Sequence, residues 1–227
     1  MRYIFLFVFL ILGCGEKTNL DSGKEAVPNS DQKNHSHAPR IIFFGDSLTA
    51  GYGLVDFETS WPYLVNARMK KEGLDFEMTN AGVSGDTSSG GLGRIDWVLG
   101  QKPDIFVLEL GANDMLRGIP PSVTRTNLKE LVQKIKREYP KCEIVLIGMR
   151  ATPNLGKGFR DEFDAIYPNL AKAEGLTFVP FLLEKVAGIR KLNQKDGIHP
   201  TEEGHALVAE TVYPFIKKAA LRLVKVK

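Results

Sequence analysis

Four short segments of the chain carry the residue types from which a serine acyl-transfer site is built. They are residues 45–48 (Gly-Asp-Ser-Leu), 80–82 (Asn-Ala-Gly), 111–114 (Gly-Ala-Asn-Asp) and 196–199 (Asp-Gly-Ile-His). Cleavage of an ester by a serine requires a hydroxyl, an imidazole that takes its proton, a carboxylate that orients the imidazole, and hydrogen-bond donors for the developing oxyanion. The four segments together contain all of these groups.

We predict that Ser47 is the nucleophile, that His199 is its general base, and that Asp196 orients the imidazole. Imidazoles ordinarily titrate near about pH 6.5, which suits proton exchange around neutrality. Asp196 stands three residues before His199, so in a turn its carboxylate can reach one ring nitrogen while the other nitrogen faces the serine. His205 is the competing histidine, but it falls inside the last predicted helix with no acidic partner placed to orient it.

Three donors are predicted to stabilise the oxyanion, namely the backbone N–H groups of Ser47 and Gly82 and the side-chain amide of Asn113. The structural alternative for Gly82 is an ordinary turn glycine, and the alternative for Asn113 is a side chain that hydrogen-bonds within its own loop. The glycine-rich stretch 82–93 lacks the Gly-Lys-Ser/Thr sequence of a phosphate-binding loop. We therefore interpret this stretch as a loop that lines the site.

From residue 41 onward, short apolar runs alternate with amphipathic segments, the pattern of strands connected by helices. The predicted strands are 41–44, 76–79, 105–110, 143–148 and 177–180, and the predicted helices are 61–71, 88–99, 122–138, 160–173 and 201–224. The continuous apolar character of the strands favours a parallel sheet covered on both faces. Three of the four segments follow a predicted strand directly, so they are expected to meet at the carboxyl edge of the sheet.

Composition narrows the range of functions. The 227 residues, 43% of them hydrophobic, suffice for one α/β domain with an appendage. A net charge of +3 arises from 30 basic and 27 acidic side chains without a dense basic stripe, so nucleic acid is not an expected partner. The two cysteines provide no disulfide framework.

The first 14 residues form a predicted export leader. Arg2 is followed by an apolar run over residues 3–12, well short of the roughly 20 residues of a transmembrane helix. The leader ends in Ile-Leu-Gly-Cys, which resembles the lipobox of bacterial lipoproteins. We therefore predict an exported, periplasmic or cell-surface lipoprotein anchored to a membrane through Cys14, while cleavage by an ordinary signal peptidase, or no cleavage, stays open.

Residues 15–40 are polar and aperiodic, which predicts a disordered tether between the leader and a folded domain over residues 41–227. His35 and His37 lie in this tether. Because a flexible pair without further ligands is a poor metal site, we interpret them as solvated linker residues.

The order and context of the four segments resemble the SGNH hydrolase superfamily, also called GDSL esterases and lipases. Its four namesake residues correspond here to Ser47, Gly82, Asn113 and His199, with Asp196 completing the triad. The resemblance spans nearly all of the chain from residue 41 onward. Residues 43–54 and 165–171 also resemble the branch of bacterial arylesterases and the multifunctional acyl thioesterase/lysophospholipase.

This resemblance implies a flavodoxin-like, three-layer α/β/α fold with a five-stranded parallel sheet, no metal or other cofactor, and broad hydrolysis of acyl esters and thioesters, lysophospholipids included. Substrate specificity is expected in the loops 149–159 and 181–192, where Leu155, Gly156 and Phe159 are candidates for an acyl groove. Two alternatives stay open: an O-acetylesterase acting on envelope polysaccharide, and a noncatalytic surface-binding lipoprotein. The sequence predicts no oligomeric state.

Overall fold

The structure, a computed structural model, describes residues 38–225. The predicted leader with Cys14, and the part of the predicted tether that holds His35 and His37, lie outside these residues. Within the described part of the chain, no helix is both long enough and apolar enough to cross a membrane.

Five parallel strands form one sheet in the order β2-β1-β3-β4-β5. They are β1 (Arg40–Gly45), β2 (Glu77–Gly82), β3 (Ile105–Leu108), β4 (Glu143–Ile147) and β5 (Thr177–Val179). This is the flavodoxin-like order, and it confirms the predicted sheet. Strands β1, β3 and β4 are buried almost throughout because both faces of the sheet are covered, which explains their continuous apolar sequences.

Seven α-helices accompany the sheet within residues 38–225. They are α1 (Ser47–Ala50), α2 (Trp61–Lys71), α3 (Ser88–Leu99), α4 (Ala112–Leu116), α5 (Pro121–Glu138), α6 (Lys157–Glu174) and α7 (Glu202–Lys225). Helices α3, α5 and α6 pack side by side, as do α2 and α7. These two groups form the outer layers of the α/β/α fold.

Helices α1 and α4 were not predicted, because four or five residues are too few to show helical periodicity. Each begins just after a central strand, α1 after β1 and α4 after β3. They turn Ser47 and Asn113 toward the same edge of the sheet. Strand β2 also extends three residues beyond its predicted end, because Gly82 pairs with Gly45 of β1.

Trp61 fixes α1 to the rest of the domain. Its indole N–H donates to the backbone oxygen of Leu48 at 3.0 Å. The Trp61 ring, which is fully buried, also packs edge-on against Phe43 of β1 at a centroid distance of 5.2 Å. A buried indole whose N–H is hydrogen-bonded is a rigid contact, so the helix that begins with Ser47 is held in a defined position.

Candidate active site

A chain of hydrogen bonds joins the three residues predicted to form the triad. The Ser47 Oγ lies 2.9 Å from His199 Nε2, and His199 Nδ1 lies 2.7 Å from Asp196 Oδ2. A neutral imidazole with its proton on Nδ1 satisfies both contacts, because Nδ1 then donates to the carboxylate and Nε2 accepts from the serine hydroxyl. The structure therefore brings together Ser47, His199 and Asp196, although 152 residues separate the first two.

The turn over residues 196–199 positions the Asp196 carboxylate. Its Oδ1 accepts the backbone N–H groups of Ile198 and His199 at 2.9 and 3.0 Å, and Gly197 adopts a φ of 72°, a left-handed conformation that favours glycine. Burial acts to raise the pKa of Asp196, but hydrogen bonds from the His199 ring and from the two N–H groups outweigh it and lower the pKa to about 2. Asp196 is therefore a carboxylate at neutral pH, suited to stabilise an imidazolium.

Neighbouring residues hold this turn against the domain. The backbone N–H of Gln194 donates to the His199 carbonyl at 2.7 Å. The Tyr52 ring packs on the His199 ring at a centroid distance of 4.6 Å. Thr201 Oγ1 accepts the N–H of Gly204 at 3.3 Å and so caps the N-terminus of α7. The backbone of the turn and one face of the imidazole are thus held by neighbouring residues.

Two of the predicted oxyanion donors lie at the site. Ser47 is the first residue of α1, and its backbone N–H has no hydrogen-bond acceptor within the described residues. The Asn113 side chain is also present, and its Nδ2 donates to Asp46 Oδ2 at 3.1 Å and to the Asp86 carbonyl at 3.0 Å. Since an amide nitrogen has two hydrogens, an oxyanion must share one of them with, or take it from, these acceptors.

Gly82 does not reach the cavity, which corrects the predicted oxyanion site. Its N–H donates to Asn80 Oδ1 at 3.0 Å, and a Cβ at this position would lie 2.3 Å from the backbone nitrogen of Ala50. Position 82 therefore has no room for a side chain, since α1 packs directly on its backbone. The glycine that lines the cavity is Gly85, whose N–H has no acceptor within residues 38–225 and whose φ is 81°.

A cavity of about 390 Å³ opens at Ser47. Its walls are formed by Asp46, Ser47, Leu48, Tyr52, Ser84, Gly85, Ala112, Asn113, Leu116, Ile198 and His199. The side chains of Tyr52, Leu116 and Ile198 are 52%, 51% and 43% exposed. Large apolar groups that stay accessible around a nucleophile suit an acyl or aryl group of a substrate.

The three residues predicted to line an acyl groove lie elsewhere, so this prediction is wrong. Leu155 and Phe159 are half-buried against the core, and the Phe159 ring stacks on Phe163 at a centroid distance of 6.0 Å. Gly156 is the N-cap of α6. None of the three lines the cavity at Ser47. Helix α6 begins three residues earlier than predicted, which places Phe159 and Phe163 one turn apart on the same face.

Two fully buried carboxyl groups lie behind the nucleophile. Glu109 Oε2 accepts the hydroxyl of Thr49 at 2.8 Å and the N–H of Asp46 at 3.3 Å, while Asp46 Oδ1 accepts the N–H of Leu48 at 2.9 Å. Burial raises the pKa of Asp46 to about 6. Burial, reinforced by the charge of Asp46, raises the pKa of Glu109 well above its usual range. Burial therefore favours the uncharged form of Glu109. Sequence reasoning missed this residue because it lies within the apolar run of residues 105–110.

Arg94 connects three parts of the site, and sequence reasoning missed it as well. Its guanidinium donates to Asp86 Oδ2 at 2.7 Å, to the Ala81 carbonyl at 2.9 Å and to the Gly45 carbonyl at 3.0 Å, and it packs over the Phe44 ring. The ends of β1 and β2 are thereby tied to the loop that carries Gly85.

No group of three or more potential metal ligands occurs among residues 38–225.

The family model for the GDSL-like Lipase/Acylhydrolase family matches residues 43–207. The chain belongs to this family. The chain is 39% identical to Esterase TesA of Pseudomonas aeruginosa over 181 residues. These residues are 79% of the chain and 89% of the relative. It is 36% identical to Thioesterase 1/protease 1/lysophospholipase L1 of Escherichia coli over 174 residues, 76% of the chain and 81% of the relative.

A solved crystal structure of TesA superposes with a TM-score of 0.75 at 37% identity, covering 79% of the GDSL-like chain and 99% of TesA. The family, these relatives and the serine–histidine–aspartate geometry identify the chain as an SGNH-type serine ester hydrolase.

Proposed function

We propose that this enzyme hydrolyses carboxylic esters with apolar acyl or aryl groups, and that thioesters and lysophospholipids fall within its range. The observation that carries the proposal is the Ser47–His199–Asp196 hydrogen-bond chain at the mouth of an apolar cavity. The named activities of the Escherichia coli relative support the inclusion of thioesters and lysophospholipids.

The reaction proceeds in two steps of acyl transfer. His199 Nε2 takes the proton of Ser47 as Oγ attacks the acyl carbon. The oxyanion is stabilised by the N–H groups of Ser47 and Gly85 and by the Asn113 amide. Collapse breaks the bond to the leaving oxygen or sulfur, which receives the proton from His199, and leaves an acyl group on Ser47.

Water then completes the cycle. His199 takes a proton from a water molecule, whose oxygen attacks the acyl carbon. The second tetrahedral intermediate releases the carboxylic acid and returns the proton to Ser47 Oγ. Asp196 stabilises the imidazolium in both steps, and all of the proton transfers use groups of the protein, the substrate and water.

The decisive experiment compares Ser47→Ala with wild type and with Ser122→Ala, an exposed serine on α5. We expect a fluorophosphonate probe to label wild type and Ser122→Ala, and Ser47→Ala to lose both labelling and hydrolysis of p-nitrophenyl butyrate. Activity retained by Ser47→Ala contradicts the mechanism. A wild type that resists labelling favours a noncatalytic binding protein.

A chain-length series separates the two enzymatic alternatives. Comparable rates on p-nitrophenyl acetate, butyrate and octanoate are expected from the apolar walls of the cavity. Hydrolysis restricted to acetyl esters, together with release of acetate from acetylated polysaccharide, would instead identify an O-acetylesterase.

We also propose that the enzyme is exported and anchored to a membrane through a lipid on Cys14. The support is the order of a basic residue, an apolar run and a lipobox-like sequence in residues 1–14. Replacement of Cys14 by alanine is expected to move the enzyme from the membrane fraction to the soluble fraction of its host. An unchanged membrane association would contradict the lipid anchor.

A further inference from the structure

A second cavity, of about 490 Å³, borders the turn that carries Asp196 and His199. It is lined by Gly188, Arg190, Asn193, Gln194, Lys195 and Gly197. Gly197 belongs to this second cavity, whereas the next two residues, Ile198 and His199, line the cavity at Ser47. The two cavities therefore share one turn of the chain.

The second cavity carries two positive charges without counterions. The side chains of Arg190 and Lys195 are exposed and form no ion pair or hydrogen bond within the described part of the chain. Among the described residues, no acidic side chain lines the cavity. Asp196, the acid that follows Lys195 in the sequence, is engaged by His199. By contrast, the adjacent Lys191 is paired with an acid of α7. The charges of Arg190 and Lys195 are thus available to an anionic ligand.

The amide side chains of the second cavity offer acceptors rather than donors. Asn193 Nδ2 donates to two backbone carbonyls of the preceding loop at 2.8 and 2.9 Å. Gln194 Nε2 donates to the carbonyls of Tyr52 and Pro200 at 2.7 and 3.0 Å. Within residues 38–225, the side-chain oxygens of both amides accept no hydrogen bond. The lining of the cavity therefore combines two cations with two amide residues whose side-chain oxygens are without a donor among the described residues.

We propose that the second cavity binds the phosphate headgroup of a lysophospholipid whose acyl ester lies at Ser47. This inference rests on the proposed function, and it adds a site for the polar half of the substrate. A guanidinium and an ammonium match the oxygens of a phosphate, and the free amide oxygens match the hydroxyl of glycerol. A three-carbon glycerol unit separates the ester from the phosphate in such a substrate, and a single turn separates the two cavities.

The test uses two substrates that differ only in the phosphate, 1-lauroyl-lysophosphatidate and 1-monolaurin, each below its micellar concentration. Arg190→Gln, Lys195→Gln and the double variant are compared with wild type. The control is Lys172→Gln, because Lys172 is an exposed residue of α6 that forms no ion pair within residues 38–225. We expect the ratio of KM for lysophosphatidate to KM for monolaurin to rise about 5-fold in each single variant and roughly 20-fold in the double variant. The control ratio should stay at the wild-type value.

Competition distinguishes a headgroup site from a site for free phosphate. Glycerol 3-phosphate should compete with lysophosphatidate in wild type and not in the double variant. The proposal is overturned if the KM ratio of the double variant equals that of wild type. It is also overturned if inorganic phosphate binds at Arg190 and Lys195 while their replacement leaves the KM ratio unaffected. These results leave the esterase intact if monolaurin is still hydrolysed through Ser47. Loss of Ser47-dependent hydrolysis of every ester would instead reject the proposed function.

Discussion

Replacing Asp196 with asparagine should reverse the tautomer of His199 while leaving the turn in place. In the structure, one carboxylate oxygen accepts the N–H groups of Ile198 and His199, and the other accepts from the ring Nδ1. An asparagine can keep the backbone bonds with its carbonyl oxygen, and its NH₂ group then faces Nδ1. The ring proton must move to Nε2, where it points at Ser47 and prevents Nε2 from accepting the serine proton.

The expected loss of kcat is about 10³- to 10⁴-fold, roughly 4 to 5.5 kcal/mol of barrier. The cost in stability is much smaller. A shift of the Asp196 pKa from 3.8 to about 2 corresponds to at most about 2.5 kcal/mol, and the 38% exposure of the side chain reduces this to about 1 kcal/mol. Because the pKa is lowered on folding, this stabilisation is present above about pH 4 and is lost as the pH falls toward 2. At neutral pH the Tm should fall by only about 2 to 4 °C.

The assay combines steady-state hydrolysis of p-nitrophenyl butyrate at neutral pH with thermal unfolding. Asp161→Asn is the matched control, because Asp161 is an exposed acid that pairs with Lys157 on α6. The control is expected to match wild type in both measurements. Asp196 does not set the tautomer of His199 if Asp196→Asn keeps more than about a tenth of the wild-type kcat, or if its Tm falls so far that unfolding accounts for the lost activity.

Three further outcomes are expected. Arg94→Met should lower kcat about 10- to 100-fold with a smaller change in KM, because the loop with Gly85 loses its hydrogen bonds to the ends of β1 and β2. Arg94→Lys should recover part of the lost kcat, and unchanged kinetics of Arg94→Met would contradict a positioning role. Burial lowers the pKa of His205 from 6.5 to about 4, so between these values the unfolded chain binds an extra proton and the folded state loses stability as the pH falls. Between about pH 7 and pH 4.5 this loss amounts to roughly 2.5 kcal/mol; urea unfolding at these two pH values should show a loss smaller by about that amount in His205→Asn, and equal losses would refute the assignment. Phe159→Ala should lower the Tm without changing acyl-length preference, whereas Leu116→Ala should alter the ratio of KM for octanoate and butyrate esters; the reverse pattern would restore the predicted groove.

The sheet and the triad could be predicted because each leaves a local signal in the sequence. Strands buried on both faces appear as continuous apolar runs, which located all five strands to within three residues at either end. The triad follows from a serine after the first strand and from the spacing of Asp196 and His199, which one turn converts directly into a hydrogen bond.

The errors arise where tertiary packing decides between equivalent local patterns. Gly82 and Gly85 both lie in the glycine-rich stretch, and only the pairing of β2 with β1 shows that the first belongs to the sheet and the second to the cavity. Phe159 fits the composition of an acyl groove equally well, but the additional N-terminal turn of α6 directs it onto Phe163. Such choices depend on contacts between distant segments, which no local window contains.

The buried carboxyl groups behind Ser47 pose an electrostatic problem that the fold resolves. Acyl transfer generates an oxyanion, and two negative charges beneath the nucleophile would oppose it. Glu109 is fully buried, and within residues 38–225 its Oε1 has no hydrogen-bond partner. Burial and the charge of Asp46 raise the pKa of Glu109 despite the two hydrogen bonds to its Oε2, which favours the uncharged acid. The negative charge on Asp46 is stabilised by the Leu48 N–H and by the Asn113 amide. An oxyanion at Ser47 draws on that same amide. Asp46 therefore orients Asn113 for catalysis and also competes with the oxyanion for an amide hydrogen of Asn113. The raised pKa of Asp46 reflects how weakly this site holds the competing charge.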